Sequence, residues 1–228
     1  MAIRSLDGVA IHVLEDPAGL AGGWLARVAS EGGHLALAGG STVGRAYLAA
    51  AELLPEWSGA HVWFGDERAV PPDDDRSNYR LAREALLDRL RVPAEVHQIR
   101  GELGAEQAAE LYDRELEGVT LDLALNGIGS DGHTASLFPN APTLEERERR
   151  ALAAEAGLEP FVERVTLTPP VFAATRLLIY LVTGESKAEA VRRAFADEPS
   201  PELPASLIRG VETIAILDAA AASRLPQG

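Results

Sequence analysis

The sequence predicts an α/β protein of three layers, a mostly parallel sheet covered by helices on both faces. Short apolar runs alternate along the chain with longer segments of helical pattern, and several of those runs end in glycine-rich turns that open a helix. No repeat, low-complexity stretch or long linker divides the 228 residues, so a single domain over 1–228 is expected. Hydrophobic residues make up 46% of the chain, enough for a substantial core.

From the N-terminus, residues 9–14 read as a first strand in which His12 is structural, and Asp16-Pro17 signals a helix to about Ser30. Residues 35–38 form a short apolar strand, and Gly39-Gly40-Ser41-Thr42 opens a helix to about Leu54. Residues 61–65 are the next strand, with Asp66-Glu67-Arg68 at its end. A Pro/Asp turn follows, and Ser77 with Asn78 caps a helix to about Leu90. A short strand at 96–99 and an acidic amphipathic helix at 104–116 lead to the alternating strand beginning at Leu121. Residues 143–158 are charged and helix-like. Residues 164–168 are a strand stopped by Pro169-Pro170, and a short helix precedes the strongly apolar strand 177–182. Gly184-Glu185-Ser186-Lys187 opens another helix, residues 203–208 a short one, 213–217 a last strand and 218–225 a last helix.

Composition narrows the function. Net charge is -14, which opposes nonspecific nucleic-acid binding, because that depends on neutralising phosphates with Lys and Arg. No apolar run approaches the ~18 residues of a membrane span, and the first residues lack the apolar segment of a signal peptide. A soluble cytoplasmic protein is expected. Cysteine is absent, which excludes disulfides, thiol nucleophiles and cysteine-ligated metals. Of the 21 basic residues only Lys187 is lysine. In a helix's first turn it opposes the dipole, so either an anion sits there or the position is a tolerated surface lysine.

Two segments carry the chemistry. Strand, glycines, hydroxyls and helix at residues 35–54 make an anion cradle of Gly40, Ser41 and Thr42, with an ordinary capped turn as the alternative. GGSTVGR is not a P-loop, since Arg45 and Ala46 stand where Lys and Ser/Thr are required, and Val43 rules out a GxSxG elbow. The second segment, 121–140, ends a strand in a glycine-rich loop, with Gly129 and Gly132, that bears Asp131 and His133. An acid two residues from a histidine can fix its tautomer and raise its basicity, which points to a general base. GIGSDG formally satisfies GxGxxG, but Pro139 leaves no room for the helix a dinucleotide site needs. The other four histidines lie far from His133 with no ligand spacing, so no metal is expected. Asp66-Glu67-Arg68 reads either as a solvated loop or as part of the site.

GGST at 39–42, DERAV with SNY at 66–79, GIGSDGHTASLFP at 127–139, RVTLT at 164–168, GESKAEAV at 184–191 and LPAS at 203–206 fall in the sequence order of the 6-phosphogluconolactonase family, which the whole chain resembles. The resemblance implies a Rossmann-like fold and cofactor-independent hydrolysis of a phosphosugar lactone, 6-phospho-D-glucono-1,5-lactone, in the oxidative pentose phosphate pathway. It implies that Gly40, Ser41, Thr42, Arg164 and Lys187 hold the phosphate and that His133 deprotonates water. Asp131 would then neighbour the base, with Asp66 and Arg68 on the sugar side. Arg164 rests on the resemblance alone. Ala38, Val43 and Ala215 depart from the family pattern without removing a proposed catalytic group.

Two other functions compete with this one. The related glucosamine-6-phosphate deaminases place a glutamate five residues after the loop histidine, where this chain has Phe138. A noncatalytic phosphosugar-binding module would be expected beside a basic DNA-binding segment, which the chain lacks. A monomer is expected, with a homodimer as the alternative.

Overall fold

A computed structural model describes residues 2–226 apart from Asp7, Leu158 and Pro160. It contains β1 (Ala2–Leu6), β2 (Val9–Val13), α1 (Pro17–Ser30), β3 (His34–Leu37), α2 (Ser41–Leu53), β4 (His61–Phe64), β5 (Asp66–Arg68) and α3 (Asn78–Ala85). Then follow β6 (Glu95–Val96), α4 (Ala105–Glu115), β7 (Leu123–Asn126), β8 (Ala151–Ala154), β9 (Arg164–Leu167), α5 (Pro169–Ala174), β10 (Leu177–Val182), α6 (Ala188–Ala196), α7 (Pro204–Leu207) and β11 (Glu212–Leu217).

Eight strands form the central sheet in the order β1-β2-β11-β10-β7-β3-β4-β6. Every neighbouring pair is parallel except β1–β2. Strands buried on both faces need apolar residues at successive positions, and this is why 177–182 and the run into Asn126 are continuous rather than alternating. All four residues of β7 are buried, as are five of six in β10. From β3 the chain steps outward to β4 and β6, while from β7 it steps the other way to β10 and β11. The connections after β3 and β7 therefore diverge and leave a crevice between them at the carboxyl ends of the strands.

Two helix tyrosines hold that end of the sheet. The buried Tyr47 hydroxyl donates to the Ala38 carbonyl (2.6 Å) and accepts from the Ala38 N–H (2.9 Å). Tyr112 does the same at Phe64, accepting at 2.8 Å and donating at 3.2 Å. Each satisfies backbone groups where a strand leaves the ladder, which would otherwise be buried unpaired.

The expected α/β architecture with a mostly parallel sheet is present, and four local expectations need correction. Residues 2–6 form a strand pairing antiparallel with β2, a hairpin that the Asp7-Gly8 dipeptide signals in the sequence. Residues 143–157 form no helix: a 3-10 turn at Pro142–Glu145 leads into β8, and Leu158, the end of the expected helix, lies outside the described residues. The Glu146 carboxylate accepts from the N–H groups of Arg147 (2.7 Å), Glu148 (2.6 Å) and Arg149 (3.0 Å), so the backbone donors that would build a helix are taken locally. The helix from Asn78 ends at Ala85, with a 3-10 turn at Leu87–Arg89 behind it. Residues 218–225 form turns rather than a helix. There the Asp218 carboxylate draws in the N–H groups of Gly184 and Ala221.

Asp66-Glu67-Arg68 is neither loop nor solvated end. It forms β5, the edge of a second, antiparallel sheet ordered β5-β9-β8. Helix α4 packs against β8 and β9 of this sheet.

Candidate active site

A cleft of about 310 Å³ opens where the connections after β3 and β7 diverge. One wall is residues 38–43, another Gly127, Ile128, Gly129, His133 and Ala135, a third the end of β10 with Thr183 and Lys187, and the floor includes Asp66, Arg68 and Asn78.

The glycines of the first wall serve geometry. Gly40 has φ +112°, a conformation open to residues without a Cβ, and it is the N-cap of α2. Among the described residues no side chain caps α2, which leaves the N–H groups of its first turn open at the point where the helix dipole is positive. A Cβ on Gly39 would fall on the Asn78 side chain, which ties this loop to the cleft floor. The Thr42 and Thr183 hydroxyls meet at 2.9 Å and join the first wall to the third. Lys187 is half-buried at the residue preceding α6. It makes no ion pair among the described residues, so its ammonium is available to a ligand.

Across the cleft stands the His133–Asp131 pair. Asp131 Oδ1 lies 2.6 Å from His133 Nδ1 and also accepts the His133 backbone N–H at 3.2 Å. With Nδ1–H donating to the carboxylate, the imidazole presents the Nε2 lone pair. Burial works against the Asp131 charge, but the hydrogen bonds and charge of His133 outweigh it and hold the carboxyl below its ordinary value. The loop is wound tightly to allow this. Gly129 N–H donates to the His133 carbonyl (2.8 Å), Gly132 N–H to the Gly129 carbonyl (3.0 Å), and the Thr134 hydroxyl to the Gly127 carbonyl (3.0 Å). A Cβ on Gly129 would overlap His133 Nδ1 and Asp131 Oδ1, and one on Gly132, at φ +89°, would overlap Leu203. Ala135 takes φ +50° without being glycine, a strained position within this loop.

The floor explains the DER and SNY segments together. Glu67 is buried, and Oε1 accepts the N–H groups of Arg68 and Asn78, both at 2.7 Å. Its Oε2 accepts the Tyr79 N–H at 2.7 Å and the Ser77 hydroxyl at 3.0 Å. Burial pushes this carboxyl up, against the pull of those four donors. Glu67 thus anchors the first turn of α3 to β5 and fixes Asn78, which is itself 1% exposed. Asn78 Nδ2 donates to the Asp66 carbonyl (2.9 Å) and to Asp66 Oδ1 (3.1 Å), and its oxygen accepts from Arg68. Asp66 Oδ2 accepts from the Ser136 hydroxyl at 2.7 Å. Arg68 also donates to the Arg76 carbonyl at 2.9 Å, while its buried Nε has no partner.

The structure therefore brings Gly40, Ser41, Thr42, Asp66, Arg68, Gly129, His133 and Lys187 to one cleft. Asp131 stands behind His133, and Gly132 shapes the loop from outside the lining. Arg164 does not line the cleft. It is buried opposite Arg68 in the β5–β9 pair, where burial and the neighbouring guanidinium of Arg68 press its pKa down. Sequence reasoning missed Asn78, Ser136 and Thr183 in and around the site. Only Asn78 had a local signal, as a polar residue beside a helix cap.

Fold and site define an α/β protein with a switch-point cleft, in which a histidine–carboxylate pair faces an anion-receptive helix N-terminus. Residues 25–216 match the family described as Glucosamine-6-phosphate isomerases/6-phosphogluconolactonase. The chain is 41% identical over 164 residues to the 6-phosphogluconolactonase of Homo sapiens, a match covering 68% of this chain and 62% of the human protein. With the 6-phosphogluconolactonase of Synechocystis sp. it shares 37% identity over 206 residues, 85% of each chain. The solved 6-phosphogluconolactonase from Trypanosoma cruzi superposes with a TM-score of 0.85 at 28% identity, covering 100% of both chains. A monomeric glucosamine-6-phosphate deaminase superposes at 0.80 with 21% identity, covering 94% of this chain and 98% of its own, a likeness of fold alone. The chain belongs to the glucosamine-6-phosphate isomerase/6-phosphogluconolactonase family.

Proposed function

We propose that this protein is a 6-phosphogluconolactonase, hydrolysing 6-phospho-D-glucono-1,5-lactone to 6-phosphogluconate in the oxidative pentose phosphate pathway. The observation that carries the reading is the Asp131–His133 pair set across one cleft from the uncapped N-terminus of α2. His133 Nε2 takes a proton from water as its oxygen attacks the lactone carbonyl. The ring C–O bond then breaks, and the proton passes from His133 to the leaving ring oxygen. General-base help of this kind contributes about 10²- to 10⁴-fold. Asp131 keeps the imidazole in the productive tautomer and stabilises it when charged.

The phosphate lies on the N–H groups of Gly40, Ser41 and Thr42, against the Lys187 ammonium. Arg164 contributes from behind Arg68, adding positive potential. The Arg68 guanidinium, or those backbone N–H groups of the 127–132 loop that are not bonded within it, supply donors to the developing oxyanion. Asn78, itself held by Asp66, holds Arg68 in place. Hydrolysis by this route requires no cofactor or metal.

Phe138 favours lactonase over deaminase: its ring lies 5.1 Å from that of His133, where an apolar group can neither orient nor charge the imidazole. Right-handed crossovers along this strand order set α1, α2 and α3 on one face and α4, α5 and α6 on the other, the Rossmann-like arrangement we infer. We further infer a cytoplasmic protein that acts as a monomer, with a homodimer as the alternative.

The test generates the lactone freshly with glucose-6-phosphate dehydrogenase and follows its loss with wild-type protein, with His133→Ala and without protein. Rapid loss with wild type alone supports the reading. Equal loss with both proteins removes His133 as the base, and loss at only the spontaneous rate with wild type removes the activity.

A further inference from the structure

Three of the five histidines, scattered in the sequence, meet at the end of the sheet away from the cleft. His34 and His61 are the first residues of β3 and β4 and lie opposite one another, and His61 lies opposite Glu95 of β6. His97 follows two residues after Glu95, and Trp63 two after His61. A strand alternates faces, so all five side chains share one face of the sheet. There the rings stack, His34 on His61 at 4.3 Å and Trp63 on His97 at 3.7 Å.

Within this stack His61 Nδ1 is 3.1 Å from His97 Nε2. The Glu95 oxygens lie 3.6 Å from the first nitrogen and 3.7 Å from the second. Tetrahedral zinc with bonds of about 2.0–2.1 Å has ligand atoms about 3.3 Å apart, so one cation reaches all three groups with small adjustments. The surroundings are built in the same sense. The Glu115 carboxylate, in the last turn of α4, lies 2.6 Å from His97 Nδ1. A proton on Nδ1 leaves Nε2 with its lone pair toward His61 and Glu95, the carboxylate–histidine–metal arrangement. His34 is a wall rather than a ligand, because its Nδ1 already accepts the Trp63 indole N–H at 2.9 Å. The Glu95 side chain is 65% exposed, which gives a cation an entry path and leaves room for water as a further ligand.

We propose that His61 Nδ1, His97 Nε2 and the Glu95 carboxylate form a binding site for a divalent transition-metal ion of the zinc class, with Glu115 positioning His97 from behind. Two imidazoles and a carboxylate suit Zn²⁺, Co²⁺, Ni²⁺ or Cu²⁺ rather than the oxygen-seeking Mg²⁺ or Ca²⁺. The site clips β4 to β6 at the edge of the sheet and takes no part in lactone chemistry. It does not depend on the proposed activity. Without a cation, the same geometry is a hydrogen bond from His61 Nδ1–H to His97 Nε2, and binding must shift that proton to His61 Nε2.

The test titrates the full-length, chelator-treated protein with Co²⁺, read by visible absorption, and with Zn²⁺, read by calorimetry. The expected result is one saturable site with the strong absorption of four- or five-coordinate cobalt, displaced by Zn²⁺. His61→Ala and His97→Ala should abolish it. Glu115→Gln should weaken it by about 10- to 100-fold. Glu95→Gln should weaken it at least tenfold, and its exposed side chain makes misfolding no explanation. Binding should survive in His12→Ala and in His133→Ala. Absence of saturable binding, or binding that persists in the His61→Ala and His97→Ala proteins, would overturn the proposal.

Discussion

Replacing Glu67 by glutamine changes one oxygen to NH₂ in a side chain that is 2% exposed and accepts four hydrogen bonds. The amide nitrogen has least conflict at the Oε2 position, where the Ser77 hydroxyl can rotate to accept but the Tyr79 N–H cannot. One buried N–H left unpaired costs about 1–3 kcal/mol. The three surviving bonds fall from charge-assisted to neutral strength, about 1 kcal/mol each. Against this, removing the charge returns at least as much as those weakened bonds lose, because burial outweighs the four donors and raises the carboxyl's pKa. The net loss is then that of the unpaired N–H, about 1–3 kcal/mol, out of the ~5–15 kcal/mol that holds a domain together. For a chain of this size that is a fall in Tm of about 2–12 °C, measured by circular dichroism at neutral pH. Turnover should fall as well, because Arg68 and Asn78 lose their common anchor. A Tm within about 2 °C of wild type would refute the claim that Glu67 is the clamp between β5 and α3.

Lys187→Gln should lower kcat/KM by about 10- to 150-fold, chiefly through KM, as expected for one lost charge-assisted bond to phosphate, and steady-state kinetics on the lactone will show it. Gly129→Ala should lower activity at least tenfold with only about 1–3 kcal/mol lost from stability, because its Cβ lands on the His133–Asp131 pair; near-normal activity would count against that geometry. Asp131 has a folded pKa depressed below its unfolded value of about 3.9, so its contribution to stability is present above that pH and is lost as pH falls through the folded value. The stability gap between wild type and Asp131→Asn, from urea unfolding, should therefore be present above about pH 5 and close in stronger acid.

Much of the sheet was legible because a parallel strand buried on both faces leaves a continuous apolar run, as at Leu177–Val182. The glycine-rich turns were legible for a related reason: Gly40 and Gly132 hold backbone angles that few other residues take, so their positions mark geometry directly. What failed was governed by partners distant in sequence or by side chains acting on the backbone. The helical pattern of 143–158 gave way to the Glu146 carboxylate and to β9, neither of which periodicity registers. Glu67 looked like one of three equivalent charges, and its burial depends on donors ten to twelve residues further on. The histidine stack was invisible because His34, His61 and His97 become neighbours only through strand register.

The pairing of β3 with β7 sets Leu35 beside Leu123 and Ala36 beside Ala124, a closure of 88 residues of chain. Both main walls of the cleft issue from these two strands. Long-range parallel pairing is entropically costly to nucleate and is made late and slowly. Partly folded chains with the outer hairpin and local helices in place would then have no cleft at all. A phosphosugar ligand present during refolding should leave the refolding rate unchanged and slow unfolding, since it grips only the finished arrangement.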